Sequence, residues 1–329
     1  MTVKSSEKNI EKKRHSKIAD FFIRLIKEKP MGAIGGIITI ILLLAGIFAP
    51  LIAPFDPNAI HPLNALEPPS RQFWLGTDIL GQDLLSRVIY GARISVIVGL
   101  GASILATVIE TILGLLCGYI GGKFDLIVQR FVDAVMCFPN LILMMVIMSI
   151  VSGSSAAVSE ASSILRVVLV LGITWGISGS RLIRGATLSI KQNMYVLSAV
   201  SSGSSTRSTM FRHILPNIMA PVIIQFTTRV PAIILTEASL SFLGYGIPPP
   251  NPSWGGMLSG SARTYMYKSP WIIIWPGLAL SIVVYGVNMF GDAVRDLLDP
   301  RLRGGIGRYG MKIKKPGKIK IDSTEIAGD

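Results

Sequence analysis

Charge is scarce in this chain. Asp, Glu, Lys and Arg make up 16% of its 329 residues, where a soluble domain averages about 25%, and the mean hydropathy is +0.56. A soluble globular fold is therefore excluded. Cysteine is scarcer: Cys117 and Cys137 both fall within apolar runs, which leaves no disulfide framework and no cysteine metal spacing. The three histidines, His15, His61 and His213, lie outside the membrane-length runs, and no His-Glu-x-x-His is present, so metalloprotease chemistry is excluded and no metal site is expected. "GGK" at 121–123 would need glycine at 117 and Ser or Thr at 124 to be a phosphate loop; the residues there are Cys117 and Phe124. "GISG" at 176–179 resembles the serine motif of intramembrane proteases, but a nucleophilic serine needs a base. Small residues packing against a neighbouring helix explain it better. No repeat of 20–50 residues is evident. Nor do paired broken helices appear, which disfavours the alternative of a self-sufficient secondary transporter or channel.

What the chain has is apolar length. Half of it is apolar, with runs at 31–53, 93–120, 127–151, 165–190, 217–244 and 271–294. About 20 residues cross a bilayer, and a backbone in lipid satisfies its polar groups internally, so such runs are helices. The expectation is an all-α integral membrane protein with six transmembrane helices. The run at 31–53 follows a 30-residue basic stretch, too long for the n-region of a signal peptide. It is read as a retained first transmembrane helix over 31–54.

The net charge of +13 is not spread as on a nucleic-acid-binding face, and no nucleic acid partner is expected. Nine Lys and Arg precede residue 30, and nine more lie from Arg295 to Lys320. Placing both tails, 1–30 and 297–329, in the cytoplasm puts twenty-five basic residues inside and six outside, the bias that sets topology. The 55–92 segment is then external and Pro-rich, as is "YGIPPPNPSW" at 245–254. Trp74, Trp254, Trp271 and Trp275 suit the headgroup boundary.

One cytoplasmic loop, 191–216, is polar and basic. Asn193 is placed to cap a helix beginning near Met194, with Val196, Leu197 and Val200 on one face. Gly203 is a left-handed stop. Ser204 or Ser205 caps a second turn in which Met210, Phe211 and Ile214 share a face, and Pro216 opens the next membrane helix. Two small amphipathic helices across the membrane surface result. They suit either lipid or a protein groove.

Three charges lie inside apolar runs: Glu110, Arg229 and Glu237. Each is costly facing lipid, so each should face a cavity or another helix. Arg229 and Glu237 are eight residues apart, about 12 Å along a helix, too far to pair directly. Structural pairing elsewhere and lining of a pathway both remain open, and a pair between Glu110 and Arg229 is one form of the first.

Several stretches agree in order and spacing with one family. They are "WLGTDILGQDLLSRVIYGARIS" (74–95), "GYIGGKFD" (118–125), "CFP" (137–139), "RHILPN" (212–217), "EASLSFLGYGIPPPNPSWGGML" (237–258) and "DLLDPRLR" (296–303). The chain resembles permease subunits of ABC importers, and within them the C-type subunit of the dipeptide/oligopeptide/nickel branch. The family loop pattern E-A-A-x3-G-x9-I-x-L-P falls here on Leu197, Ser198, Ala199, Gly203, His213, Leu215 and Pro216. Leu197 and Ser198 replace the family's first two residues, while Gly203 and Pro216 keep its shape. Glu110 and Arg229 are departures, and Glu237 belongs to the motif.

The resemblance implies a type I importer permease fold over 93–296, in the cell membrane. Its loop 191–216 would be the ATPase-coupling element, with Tyr195, Val196, Arg207, Phe211 and Arg212 beside the motif positions. It also implies a heterodimer with a B-type permease, two cytosolic ATPase subunits that carry ATP and Mg, and an extracytoplasmic binding protein. The chain itself would bind no cofactor and hydrolyse nothing. The cargo implied is peptide, with nickel or another small solute as the alternative.

Overall fold

Apolar runs of membrane length become long helices in the computed structural model, which describes residues 17–152 and 159–298. Among the described residues the elements are α1 (Lys17–Glu28), α2 (Pro30–Ile47), α3 (Ala49–Ile52), α4 (Leu84–Ile120), α5 (Gly122–Met136), α6 (Asn140–Ser152), α7 (Glu160–Lys191), α8 (Met194–Ser201), α9 (Thr206–Ser208), a π-helical turn (Thr209–Ile214), α10 (Leu215–Phe242), α11 (Trp254–Met257), α12 (Ser261–Tyr265) and α13 (Trp271–Leu298), with one 3-10 turn at Pro62–Asn64. Five stretches are long and apolar enough to cross a membrane: α2, α4, α7, the run Thr206–Phe242 and α13. Taken together, α5 and α6 have the length and composition of a sixth, with a 92° bend between them.

Three elements depart from the apolar runs, and the first is the helix anticipated over 31–54, which ends at Ile47 and is followed after Phe48 by the separate α3. The helix anticipated from residue 93 starts at Leu84, since Arg87 and Arg93 interrupt the hydropathy but not the backbone. Asp83 begins it, its Oδ2 accepting from the Ser86 N–H at 2.8 Å and from Ser86 Oγ at 2.6 Å. At 37 residues α4 spans about 55 Å, well beyond a hydrocarbon core of about 30 Å, so it projects past the bilayer. The continuous helix anticipated over 127–151 is instead divided at Cys137, Phe138 and Pro139. Proline has no N–H to continue the ladder, and α6 restarts at Asn140 with the Leu143 N–H donating to the Pro139 carbonyl.

Glycine seams join the helices. On α4, Gly114 lies against Ile183 and the Ser180 carbonyl, and Gly118 against Thr187, all on α7. From α7, Gly172 meets Leu105 and Gly176 meets Ile109. The "GISG" stretch is thus helix packing of the small-residue kind. "GGK" is a turn, with Gly121 at φ +70° and Gly122 at φ +59° between α4 and α5. The other seam, Gly32, Gly35 and Gly36 of α2, lies on Ala293, Gly286 and Phe290 of α13.

The Pro-rich stretch before α4 is folded onto the helix ends. Arg87 donates to the Pro57 carbonyl at 3.0 Å and to Gln82 Oε1, and it pairs with Asp78 at 3.7 Å. Trp254, anticipated at the headgroups, is instead buried, 2% exposed, and donates to the Val88 carbonyl at 3.0 Å. Asp83→Ala, which removes the α4 cap, should lower stability by about 0.5–2 kcal/mol. A thermal unfolding series of the purified permease pair would read this, and an unchanged midpoint would contradict it.

Candidate functional site

The end of α7 is anchored before the chain turns. Lys191 Nζ donates to the Tyr119 carbonyl at 2.6 Å and sits 5.2 Å above the Tyr119 ring. Asn193 then starts α8 through its backbone carbonyl, which accepts from Val196 and Leu197; its side chain makes no capping bond. The helix closes in a Schellman arrangement. Ser204 N–H donates to the Ala199 carbonyl and Gly203 N–H to the Val200 carbonyl, both at 3.0 Å. Gly203 stands at φ +83°, the left-handed conformation that the motif requires. Ser205 Oγ caps α9 by accepting from the Ser208 N–H at 3.3 Å.

From Thr209 to Ile214 the turns widen into a π-helix, the Leu215 N–H reaching back five residues to the Met210 carbonyl. Pro216 cannot donate to the Arg212 carbonyl, so the regular bond is missing at this point. The sequence patterns carried no sign of this turn beyond Pro216 itself.

Burial sorts the loop's residues into two sets. Val196, Met210 and Ile214 are buried with Leu115 of α4, Ile183 of α7, and Ile218 and Val222 of α10. Tyr195, Leu197, Val200 and Phe211 are exposed, Phe211 at 59%. The shared faces anticipated for Val196 with Leu197 and Val200, and for Phe211 with Met210 and Ile214, are therefore split between inside and outside. Ser198, Gly203, Arg207, Arg212 and Pro216 are exposed; Ala199, His213 and Leu215 are intermediate. Ser198 Oγ donates to the Met194 carbonyl at 2.8 Å. An open cavity of about 420 Å³ lies beside α8, lined by Tyr119, Ile120, Lys191, Val196, Leu197, Val200 and Thr206. The loop thus has a seated inner row and an exposed apolar outer row.

The three intramembrane charges divide differently. Arg229 Nη2 donates to Glu110 Oε2, with side-chain exposures of 4% and 0%. The pair ties α10 to α4, and Gly179 of α7 makes room for it: a Cβ there would overlap both groups. Glu237 is apart from it. Its Oε1 accepts from Ser241 Oγ at 2.7 Å, and that oxygen accepts from the Ile247 N–H at 3.2 Å, so the buried carboxyl holds the start of the Pro-rich loop after α10.

Two further pairs were not anticipated, because their basic members were read only as topology signals. Arg184 forms a two-pronged bond with Asp125, its Nε at 2.6 Å from Oδ1, and Arg181 pairs with Asp133. Both connect α7 to α5. The only signal was Asp125 in "GYIGGKFD". Among the described residues no group of three or more His, Cys, Asp or Glu is placed to hold a metal ion.

Comparison with known proteins gives these features a setting. The family model for the binding-protein-dependent transport system inner membrane component matches residues 110–304. The model for the N-terminal transmembrane domain of oligopeptide transport permease C matches residues 16–69. The oligopeptide transport system permease protein OppC of Bacillus subtilis is 36% identical over 294 residues, 89% of this chain and 93% of the relative. The dipeptide transport system permease protein DppC of Haemophilus influenzae is 39% identical, across 84% of this chain and 92% of its own length. The glutathione transport system permease protein GsiD of Pectobacterium atrosepticum is 36% identical, across 86% and 91%. With a family model over most of the helical body and relatives aligned nearly end to end, this chain belongs to the inner-membrane permease components of binding-protein-dependent transport systems.

Proposed function

We propose that the chain forms, with a second related permease subunit, the path by which short peptides enter the cell, and that residues 191–216 receive the stroke of a cytosolic ATPase. ATP and Mg belong to two ATPase partners, and an extracytoplasmic binding protein delivers the peptide. Peptide is the cargo because the relatives quoted are named for oligopeptide, dipeptide and glutathione, a peptide derivative; none of those quoted is named for nickel.

The observation that carries the reading is the two-sided loop. Val196, Met210 and Ile214 are locked to α4, α7 and α10, while Leu197, Val200 and Phe211 face outward. A push on the outer row therefore moves the ends of three long helices together. The Glu110–Arg229 pair is a strut between two of those helices, not a part of the path, since both groups are enclosed within this chain. The domain reading follows: a permease body over 93–296 with external connections at 55–92 and 245–270, and both termini in the cytoplasm by the charge bias.

Proteoliposomes holding both permeases, both ATPases and the binding protein should take up a labelled dipeptide only with internal ATP, and excess nickel should not compete. Uptake without ATP, or nickel transport in place of peptide, would overturn the reading. Orientation has its own check. With Cys117 and Cys137 replaced by serine, Tyr267→Cys, at a position 90% exposed, should react with an impermeant thiol reagent in intact cells and Ser205→Cys should not. Labelling of both would contradict the topology.

A further inference from the structure

The stretch read from sequence as a basic tail contains a helix, α1 (Lys17–Glu28), whose sides differ. Leu25 is 4% exposed and packs with Ala293 and Leu297 at the end of α13. Next to it, Lys29 Nζ pairs with Asp296 Oδ2. Arg24 and Glu28 bond to each other along the helix, on a side that faces outward. Phe22, Ile23 and Ile26 are 52%, 38% and 64% exposed. Two large apolar side chains, Ile23 and Ile26, thus face outward on a helix already fixed to the protein by Leu25 and Lys29.

Chain connectivity decides what covers them. Lys29 alone separates α1 from α2, and it breaks the helix with φ −136° and ψ 67° before Pro30. α2 is a spanning helix whose exposed face continues through Met31, Ile34 and Ile37. The open face of α1 therefore adjoins a lipid-facing surface at the point where α2 enters the bilayer. Charge agrees with this placement. Between residues 17 and 29 the sequence holds Lys17, Arg24, Lys27 and Lys29 against Asp20 and Glu28, an excess of base beside the apolar residues. An amphipathic helix of that character sinks its apolar side to the acyl boundary and leaves its cations among anionic headgroups.

We infer that α1 is an interfacial helix seated in the leaflet at the N-terminal end of α2, with Ile23 and Ile26 in the acyl boundary and Arg24 and Lys27 at anionic phospholipid headgroups. The inference rests on α2 spanning the membrane and not on the cargo or on the ATPase contact. Seated this way, α1 and the Lys29–Asp296 pair hold the ends of α2 and α13 at a fixed depth.

The test uses the full chain, with Cys117 and Cys137 replaced by serine, paired with its partner permease in nanodiscs of phosphatidylcholine and phosphatidylglycerol. Ile23→Cys, Ile26→Cys, Arg24→Cys and Lys27→Cys are each labelled with an environment-sensitive nitrobenzoxadiazole dye. At positions 23 and 26, doxyl-labelled lipid should quench the dye strongly, and iodide should quench it several-fold less than at 24 and 27. Equal iodide quenching at all four positions would overturn the inference. Protection from iodide at 23 and 26 without quenching by doxyl lipid would overturn it too, by showing that protein covers the face. The Ile26→Asp variant serves as a second measure. It should raise iodide quenching of the dye at position 23 several-fold while the thermal unfolding midpoint of the permease pair stays unchanged, and no rise would count against a lipid seat.

Discussion

Glu110→Leu alone should destabilise the chain by about 3–5 kcal/mol, because it leaves the Arg229 guanidinium buried without a counter-charge. Arg229 is 4% exposed and Glu110 0% at the side chain, so water cannot substitute for the lost carboxylate. Arg229→Leu should be destabilising for the mirrored reason. The double variant, Glu110→Leu with Arg229→Leu, should recover most of the loss, since a buried pair replaced by apolar residues of similar volume is often neutral in stability. Thermal unfolding of all four forms of the permease pair gives the coupling energy directly. Gly179→Ala is an independent probe of the same strut, as its methyl would overlap both charged groups; it should destabilise although it adds only one carbon. If the double variant folds and pairs but transports nothing, the two charges serve the path and the strut reading is wrong. If it is no more stable than the single variants, the two groups do not act as a pair.

Gly203→Val should leave insertion and permease pairing intact while lowering ATPase docking and uptake together. A Cβ at Gly203 would meet nothing within 4 Å, so space is not the obstacle. The obstacle is φ +83°, which costs a residue with a side chain roughly 1–2 kcal/mol. A β-branched residue is at the unfavourable end of that range. That bias is worth about a 5- to 30-fold change in the population of the closed turn, and uptake should fall by a similar factor. Arg207, exposed and with its charge in solvent, should tolerate alanine within about two-fold, as surface substitutions away from special features change stability by at most about 0.5 kcal/mol. The reverse outcome, a silent Gly203→Val and an inactive Arg207→Ala, would mean that the loop works through charge at a lipid surface.

The local grammar of the loop could be read before any coordinates. Gly203 as a left-handed stop and Ser204 or Ser205 as a cap are decisions made within five residues; the structure keeps the first and settles the second on Ser205. The π-turn could not be read, because it depends on where the Arg212 carbonyl lies when Pro216 declines its bond. Nor could the division of Leu197 from Val196 be read, since it needs the positions of α4 and α10. Hydropathy located the spanning segments but averaged across Pro139, hiding a 92° bend, and stopped short of Leu84 because two arginines lowered the mean. A pair between Glu110 and Arg229 could be raised because two costly charges both departed from the family pattern. Arg184 with Asp125 could not, because a basic residue near a helix end already has an explanation in topology. The helix α1 was concealed likewise: nine Lys and Arg in thirty residues read as a tail, although Phe22, Leu25 and Ile26 keep helical spacing.

The most direct test of ATPase coupling through residues 191–216 is photo-cross-linking from the outer row. Benzoylphenylalanine placed at Leu197 or at Phe211, with both permeases and both ATPases present, should yield a product of the chain joined to an ATPase subunit. The yield should change on adding ATP. The same probe at Phe242, exposed at the opposite end of α10, should give no such product. Cross-links from Leu197 and Phe211 to lipid alone, or an ATPase product from Phe242, would contradict the account.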